Sequence, residues 1–498
     1  MRARHILVLG LVSAISLGAY LAASAWYYRL GFPLDDAWIH QTYARNLAWN
    51  GEWAYLPGRP SAGSTAPAWT ALLAIGYGAG LNPLGWAFLV GWGLLWGIAL
   101  LAYLAHDTPG TSQPGWGLWA GVFMALEWHL VWAAGSGMET LLLACLALLA
   151  ISAAIRTALG DPVKHSLYRM VRWIMLGVLV GASTWIRPDG ITLLAATGWA
   201  AAFGRGGKRE KLQAAIALLA GFCVLFLPYL LFNQRLAGEL WPNTFYAKQA
   251  EYAILREVLF WKRFVNEAGL PLIGAGFVIL PGFVWSLVKS VRQRSWVRLV
   301  GPLWVLGYLG MYAWRLPVTY QHGRYVIPVM PVFFLWGMAG LVGWSQPAWR
   351  EPKKRVVARA WVLTCIAILL AFWISGGRAY AQDVAVIESE MVQTARWIAE
   401  NTRSDALIAA HDIGALGYFG QRELLDLAGL VSPEVIPVIR DETALMDYLD
   451  LRHADYLMTF PGWYPILSRQ GNLVYSTGAA YSLALSGENM AVFRWNPP

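Results

Sequence analysis

Cysteine is almost missing from this 498-residue chain, which has only Cys145, Cys223 and Cys365. Each falls inside an apolar run, so they supply neither a disulfide framework nor a thiolate metal cluster. Charge is scarce too: Asp, Glu, Lys and Arg make up 13% of residues, against 57% hydrophobic ones. Common catalytic signatures are absent as well. No Walker-type phosphate loop, HExxH pair or GxSxG elbow occurs, and neither an internal repeat nor a low-complexity segment is apparent.

Long apolar runs are what the chain has in abundance. Mean hydropathy is +0.46, and several runs reach the roughly 20 residues needed to cross a bilayer. The sequence reads as a polytopic α-helical membrane protein. Eleven spans are expected near 6–28, 84–105, 117–134, 138–156, 173–187, 191–204, 212–232, 268–288, 299–314, 325–344 and 360–376. The run at 68–80 is too short to span and reads as a re-entrant or interfacial helix. The first span follows Arg2 and Arg4 and reads as an uncleaved anchor. The 29 Trp and 22 Tyr fit interfacial belts, with many Trp packing mid-span.

A net charge of +9 points to orientation, not to nucleic acid. With the N-terminus inside, loops 156–172, 205–211, 289–298 and 345–359 are cytoplasmic. Together with Arg2 and Arg4 they hold nineteen of the 38 basic residues, including Lys164 and Arg350, the positive-inside pattern. The unusual polar groups then share the outer side. These are Asp35 and Asp36 in the first loop, Glu139 in GSGMET, Arg187 and Asp189 in WIRPDG, and Lys248 in WPNTFYAK, with His322 and Arg324 in HGRY. An ionisable group at a span end is a functional candidate. A lone one is equally explained by snorkelling or capping, and Asp35 can be read simply as the cap of a helix begun by Asp36.

Past residue 377 the composition becomes that of a soluble domain. An amphipathic helix near 384–401, a strand-like ALIAAH at 406–411 and apolar-alternating pieces at 455–459, 473–476 and 490–495 predict a small outer α/β domain over 378–498. His411 and Asp412 lie at a strand end there. They read as a helix cap or as acceptor contacts.

This constellation suits sugar transfer from a lipid phosphate. An acceptor hydroxyl needs a carboxylate to take its proton. A departing polyprenyl phosphate needs cations, and Arg187, Lys248 and Arg324 are available, with His322 beside them. Glu139, Asp189, Asn243, Tyr246, His411 and Asp412 are candidate supporting or acceptor contacts.

The stretch LDDAWIHQTYARNLAWNGEWAYLPGRPSAGSTAPAW resembles the first outer loop of GT-C membrane glycosyltransferases, nearest the branch of the mycobacterial terminal arabinofuranosyltransferases. GSGMETLL, WIRPDG, WPNTFYAK, HGRYVIPVMP and IAAHDIGALGYFGQRELLDLAGLV resemble further motifs of that branch in the same order. The resemblance implies inverting transfer from a polyprenyl-phosphate sugar to an outer-surface glycan, lipid or protein. Asp35 would be the base, and Asp36 a supporting acid. Some members use a divalent cation, for which Asp35 and Asp36 would be the Mg²⁺ or Mn²⁺ ligands. The rival readings are a flippase for a lipid-linked saccharide, for which charged midplane residues in repeated halves are expected, and a non-catalytic assembly protein.

Overall fold

The computed structural model describes residues 3–110, 115–160, 166–348 and 352–495. Arg2, Lys164 and Arg350 of the basic-loop pattern lie outside them. The helices, in order, are α1 (Ala3–Tyr27), α2 (Asp36–Asn50), α3 (Pro67–Gly78), α4 (Pro83–Ala105), α5 (Trp116–Leu126), α6 (Trp128–Ala134), α7 (Thr140–Leu159), α8 (Ser166–Ile186) and α9 (Thr192–Phe203). They continue with α10 (Lys208–Ala237), α11 (Asn243–Glu251), α12 (Phe260–Gly269), α13 (Ala275–Arg292), α14 (Val300–Arg315), α15 (Met330–Ala348), α16 (Pro352–Val386), α17 (Gln393–Asn401), α18 (Glu442–Leu451), α19 (Pro465–Gln470) and α20 (Ala480–Ala484).

Eight helices among the described residues are long and apolar enough to cross a membrane. They coincide with eight of the eleven expected spans. The other three are shorter or interrupted. Residues 191–204 form the 12-residue α9 and 299–314 the 16-residue α14. The run 117–134 breaks at Glu127 into α5 and α6. Glu127 causes that break. Its backbone turns extended, one carboxylate oxygen accepts from the Leu130 N–H at 3.1 Å, and the other meets His129 Nδ1 at 2.8 Å. The two ionisable residues buried mid-span thus satisfy a helix start and each other.

Between α1 and α4 the chain forms no helix long enough to span a membrane. Helix α2 ends at Gly51, whose φ of 68° lets its N–H turn back to the Asn46 and Leu47 carbonyls. A short hairpin of β1 (Ala54–Leu56) and β2 (Arg59–Pro60) follows, and the 12-residue α3 packs back on α2. Pro67 opens α3, as the expected short non-spanning helix.

The C-terminal sheet comprises β3 (Leu407–Ala410), β4 (Glu423–Asp426), β5 (Tyr456–Thr459), β6 (Asn472–Ser476) and β7 (Ala491–Arg494) in the order β4-β3-β5-β7-β6. Strands β4, β3 and β5 run parallel, while β7 and β6 pair antiparallel. Strands β3, β5, β6 and β7 fall at the strand-like pieces of the sequence, while β4 lies outside them. The expected helix at 384–401 is the end of a longer rod. Its α16 portion passes through a π-helical turn at 387–392 directly into α17. The 47 helical residues from Arg355 to Asn401 span about 70 Å at 1.5 Å per residue, far beyond the ~30 Å of a bilayer core.

Candidate active site

Two cavities meet at the start of α2. The smaller, about 270 Å³, lies among α2, α7, α11 and α14 and is lined by His40, Glu139, Arg187, Asp189, Trp241, Phe245 and Arg315. The larger, about 770 Å³, lies under the C-terminal sheet and is lined by Asp35, Trp132, Glu251, Tyr252, His411, Asp412 and Trp463. Asp36, Ile39, Lys248, Arg324 and Leu430 border both. The roof of the larger cavity comes from the segments just after β3, β4 and β5, the carboxyl ends of the parallel strands, where open α/β sheets present ligand sites.

The shared wall is an ion cluster. Asp36 Oδ2 lies 2.5 Å from Arg324 Nη2 and 3.6 Å from Lys248 Nζ. Lys248 and Arg324 also both donate to the Tyr325 hydroxyl, at 2.9 and 3.0 Å. Burial alone would raise the Asp36 pKa, but Lys248 and Arg324 hold it below the carboxylate range. Arg324 is buried, and its Nε and Nη1 have no hydrogen-bond partner among the described residues. Such orphaned donors at a cavity wall suit an anion.

Asp35 behaves differently from its neighbour. It makes no side-chain bond to the helix it precedes, so the simple capping reading fails. Its Oδ2 accepts the Gly414 N–H at 2.6 Å and its Oδ1 the Ala415 N–H at 2.8 Å. Burial pushes its pKa up to about 8, with Asp412 and Asp36 adding to the rise and the two N–H bonds opposing it. Asp412 itself is raised to about 6, by burial and nearby Asp36 against the pull of His411. Burial would lower His411, but Glu251, 3.5 Å from its Nε2, and Asp412 lift it to about 9.

Arg187 is engaged by acids. It meets Asp189 at 3.0 Å, Glu139 at 3.8 Å and the Tyr312 hydroxyl at 2.6 Å. Asp189 also accepts from Tyr308 and Tyr312, and Glu139 meets His40 at 3.4 Å. This network braces the smaller cavity and leaves Arg187 facing two carboxylates. His322 sits apart from the cluster, pairing with Asp383 at 2.8 Å between Trp128 and Trp132. Asn243 donates to the Leu430 carbonyl at 3.2 Å, and Tyr246 lies near Glu239; neither lines the cavities. Lining residues missed in the sequence include His40, Glu251, Arg315, Tyr325 and Trp463. His40 and Tyr325 at least sit inside the resembling motifs.

A divalent cation shared by Asp35 and Asp36 does not fit this donor set. One carboxylate is taken by backbone N–H groups, and the other faces two cations that would repel a metal. Among the described residues no group of three or more His, Cys, Asp or Glu converges to hold one.

Residues 379–493 match a family model described only as a domain of unknown function, DUF8728. No curated protein sequence matches the chain. Among solved structures, ArnT from Cupriavidus metallidurans bound to undecaprenyl phosphate is similar at 14% identity with a TM-score of 0.59, all of each chain being covered. The Archaeoglobus fulgidus oligosaccharyltransferase is similar at 12% identity and a TM-score of 0.62, over 92% of this chain and 69% of that one. Arabinofuranosyltransferase AftD from Mycobacteria is similar at 14% identity and a TM-score of 0.54, over 100% of this chain and 42% of that one. All three are GT-C glycosyltransferases, and the chain has their fold.

Proposed function

We propose that this integral membrane protein is an inverting glycosyltransferase that moves a sugar from a polyprenyl-phosphate donor to a cell-envelope glycan, lipid or protein. Its active site would face outward, above a spanning region of residues 1–377 and beneath an outer domain of residues 378–498. The observation that carries this reading is the Asp36–Lys248–Arg324 cluster standing between two cavities, with Asp35 lining one of them. The bound lipids in structures of the same fold support the donor class. One is ArnT with undecaprenyl phosphate and another the archaeal oligosaccharyltransferase AglB with dolichol-phosphate.

The division of labour follows from charge. The donor headgroup takes the smaller cavity, and its phosphate draws Lys248 and Arg324 away from Asp36. The acceptor takes the larger cavity. Asp35 removes the proton of an acceptor hydroxyl as its oxygen attacks the anomeric carbon. The bond from that carbon to the phosphate oxygen breaks, and the lipid phosphate leaves with its charge held by Arg324 and Lys248. Asp36 touches those cations directly, on the leaving-group side. An in-line displacement needs its base on the opposite side, which favours Asp35. The fixed cations supply the positive charge that a metal supplies elsewhere.

The test is transfer by the full chain in lipid nanodiscs from a panel of radiolabelled polyprenyl-phosphate sugars. Transfer from at least one supports the reading. Movement of a lipid-linked saccharide across the bilayer without transfer would replace it.

A further inference from the structure

The C-terminal domain touches the first outer loop at one place where backbone, not side chain, carries the contact. We propose that the turn Ile413–Ala415 of this domain is the positioning element for the catalytic carboxylate, so that the domain of otherwise unassigned role completes the active site. This rests on the reading of Asp35 as base.

Four observations converge on the turn. Both oxygens of Asp35 are taken by successive amides, Gly414 and Ala415, which open a helical turn and have no partner within it. Each oxygen keeps a second lone pair, and Asp35 lines the larger cavity. The approach also demands glycine. A Cβ on Gly414 would stand 2.0 Å from the Asp35 carbonyl oxygen and 2.7 Å from Oδ2.

The turn is moreover fixed from the first-loop side. Tyr55 donates its hydroxyl to the Ile413 carbonyl, and a Cβ on Gly417 would lie 1.9 Å from that hydroxyl. Arg45 Nη1 donates to the Tyr418 carbonyl at 2.9 Å, while Trp38 packs on Tyr418 and Phe419. Asp35, Trp38 and Arg45 all belong to the start or body of α2. One helix therefore carries the carboxylate and two grips on the segment just after the turn, while Tyr55 of β1 holds the turn itself.

Two amides do for Asp35 what a side-chain partner does for many catalytic bases. They fix its rotamer while leaving it no cation to weaken its basicity. The charged and titratable groups around it are Asp36, Asp412 and Tyr55, with His411 behind Asp412. None of these but the amides sets its orientation.

The test uses the full chain in lipid nanodiscs and reads hydrogen–deuterium exchange first. Asp35→Ala is expected to speed exchange in the peptide covering 411–418 at least tenfold, with β3 and β5 keeping wild-type protection, and Asp36→Ala to leave that peptide unchanged. Wild-type exchange in Asp35→Ala overturns the proposal whatever the transfer assay says. In transfer, Gly414→Ala is expected to cut turnover at least a hundredfold with the donor KM within threefold of wild type and the sheet still protected. A wild-type turnover for Gly414→Ala overturns it equally. Undiminished transfer by Asp35→Asn would strike the base assignment beneath the proposal, a separate failure read in a separate assay.

Discussion

Asp36 and Arg324, nearly 290 residues apart in the chain, lie 2.5 Å from each other at the wall between the two cavities. The pair belongs to a cluster whose other cation, Lys248, is 3.6 Å from Asp36. In the free protein Asp36 stands where a phosphate oxygen would compete for the same donors. Donor binding would then be an exchange of one anion for another and not the creation of a new charge site.

Replacing Lys248 by Ala is expected to weaken donor use more than catalysis. Loss of a charge-assisted bond of ~1.5–3 kcal/mol corresponds to a rise of about ten- to a hundredfold in apparent donor KM. Steady-state transfer at varied lipid-donor concentration measures it. Arg324→Lys should also be poorly tolerated, since an ammonium cannot reproduce a two-point grip on phosphate.

Asp35→Asn is expected to lower transfer by about 10²- to 10⁴-fold, the usual contribution of a general base. Radiolabelled transfer together with size-exclusion behaviour of the purified variant checks it. A well-folded variant with near-normal transfer would remove the base.

The pH profile should carry the signature of a raised carboxylate. Asp35 works only when ionised, so kcat/KM is expected to climb with pH and level off above about 8. Asp412 is one of the charges that raise it. Asp412→Asn should therefore slide the acid limb to lower pH, the opposite of what a lost base would do.

Chelation separates the two forms of charge stabilisation. With Lys248 and Arg324 facing Asp36, transfer is expected to proceed unchanged in excess EDTA. A collapse that Mg²⁺ or Mn²⁺ restores would show that a metal enters the site.

Arg187 is predicted to matter for folding. Its removal leaves the buried Glu139 and the half-buried Asp189 without their cation, a loss of roughly 3–5 kcal/mol for a broken buried pair. A lowered midpoint in thermal unfolding of Arg187→Met, measured in detergent, is the expected outcome.

Much of this architecture was legible from composition. Apolar runs mark the spans, and the first loop with its two Asp residues, Lys248 and Arg324 can be read as belonging together. Two kinds of feature could not be read. Span count fails where a run is long in sequence but broken in space, as at Glu127, because a cap and a charged mid-span residue look alike in one dimension. The different fates of Asp35 and Asp36 are also invisible. They depend on backbone amides at 414 and 415, and amides carry no sequence signature. The paired glycines of HDIGALGY, Gly414 and Gly417, were the only trace, since both are places where a Cβ would collide with the first loop. His322 misled for a related reason. Its neighbour Arg324 joins the cluster, while the left-handed backbone at His322, φ 55°, turns the imidazole toward Asp383.

The unbroken run from α16 through the π-helical turn into α17 fixes how the sheet can be held. A domain mounted on a stiff post, with its underside gripping the loop beside the same bundle, has no hinge to swing on. On the proposed reading, an acceptor would then have to enter the larger cavity, which Trp463 lines, without any swing of the domain.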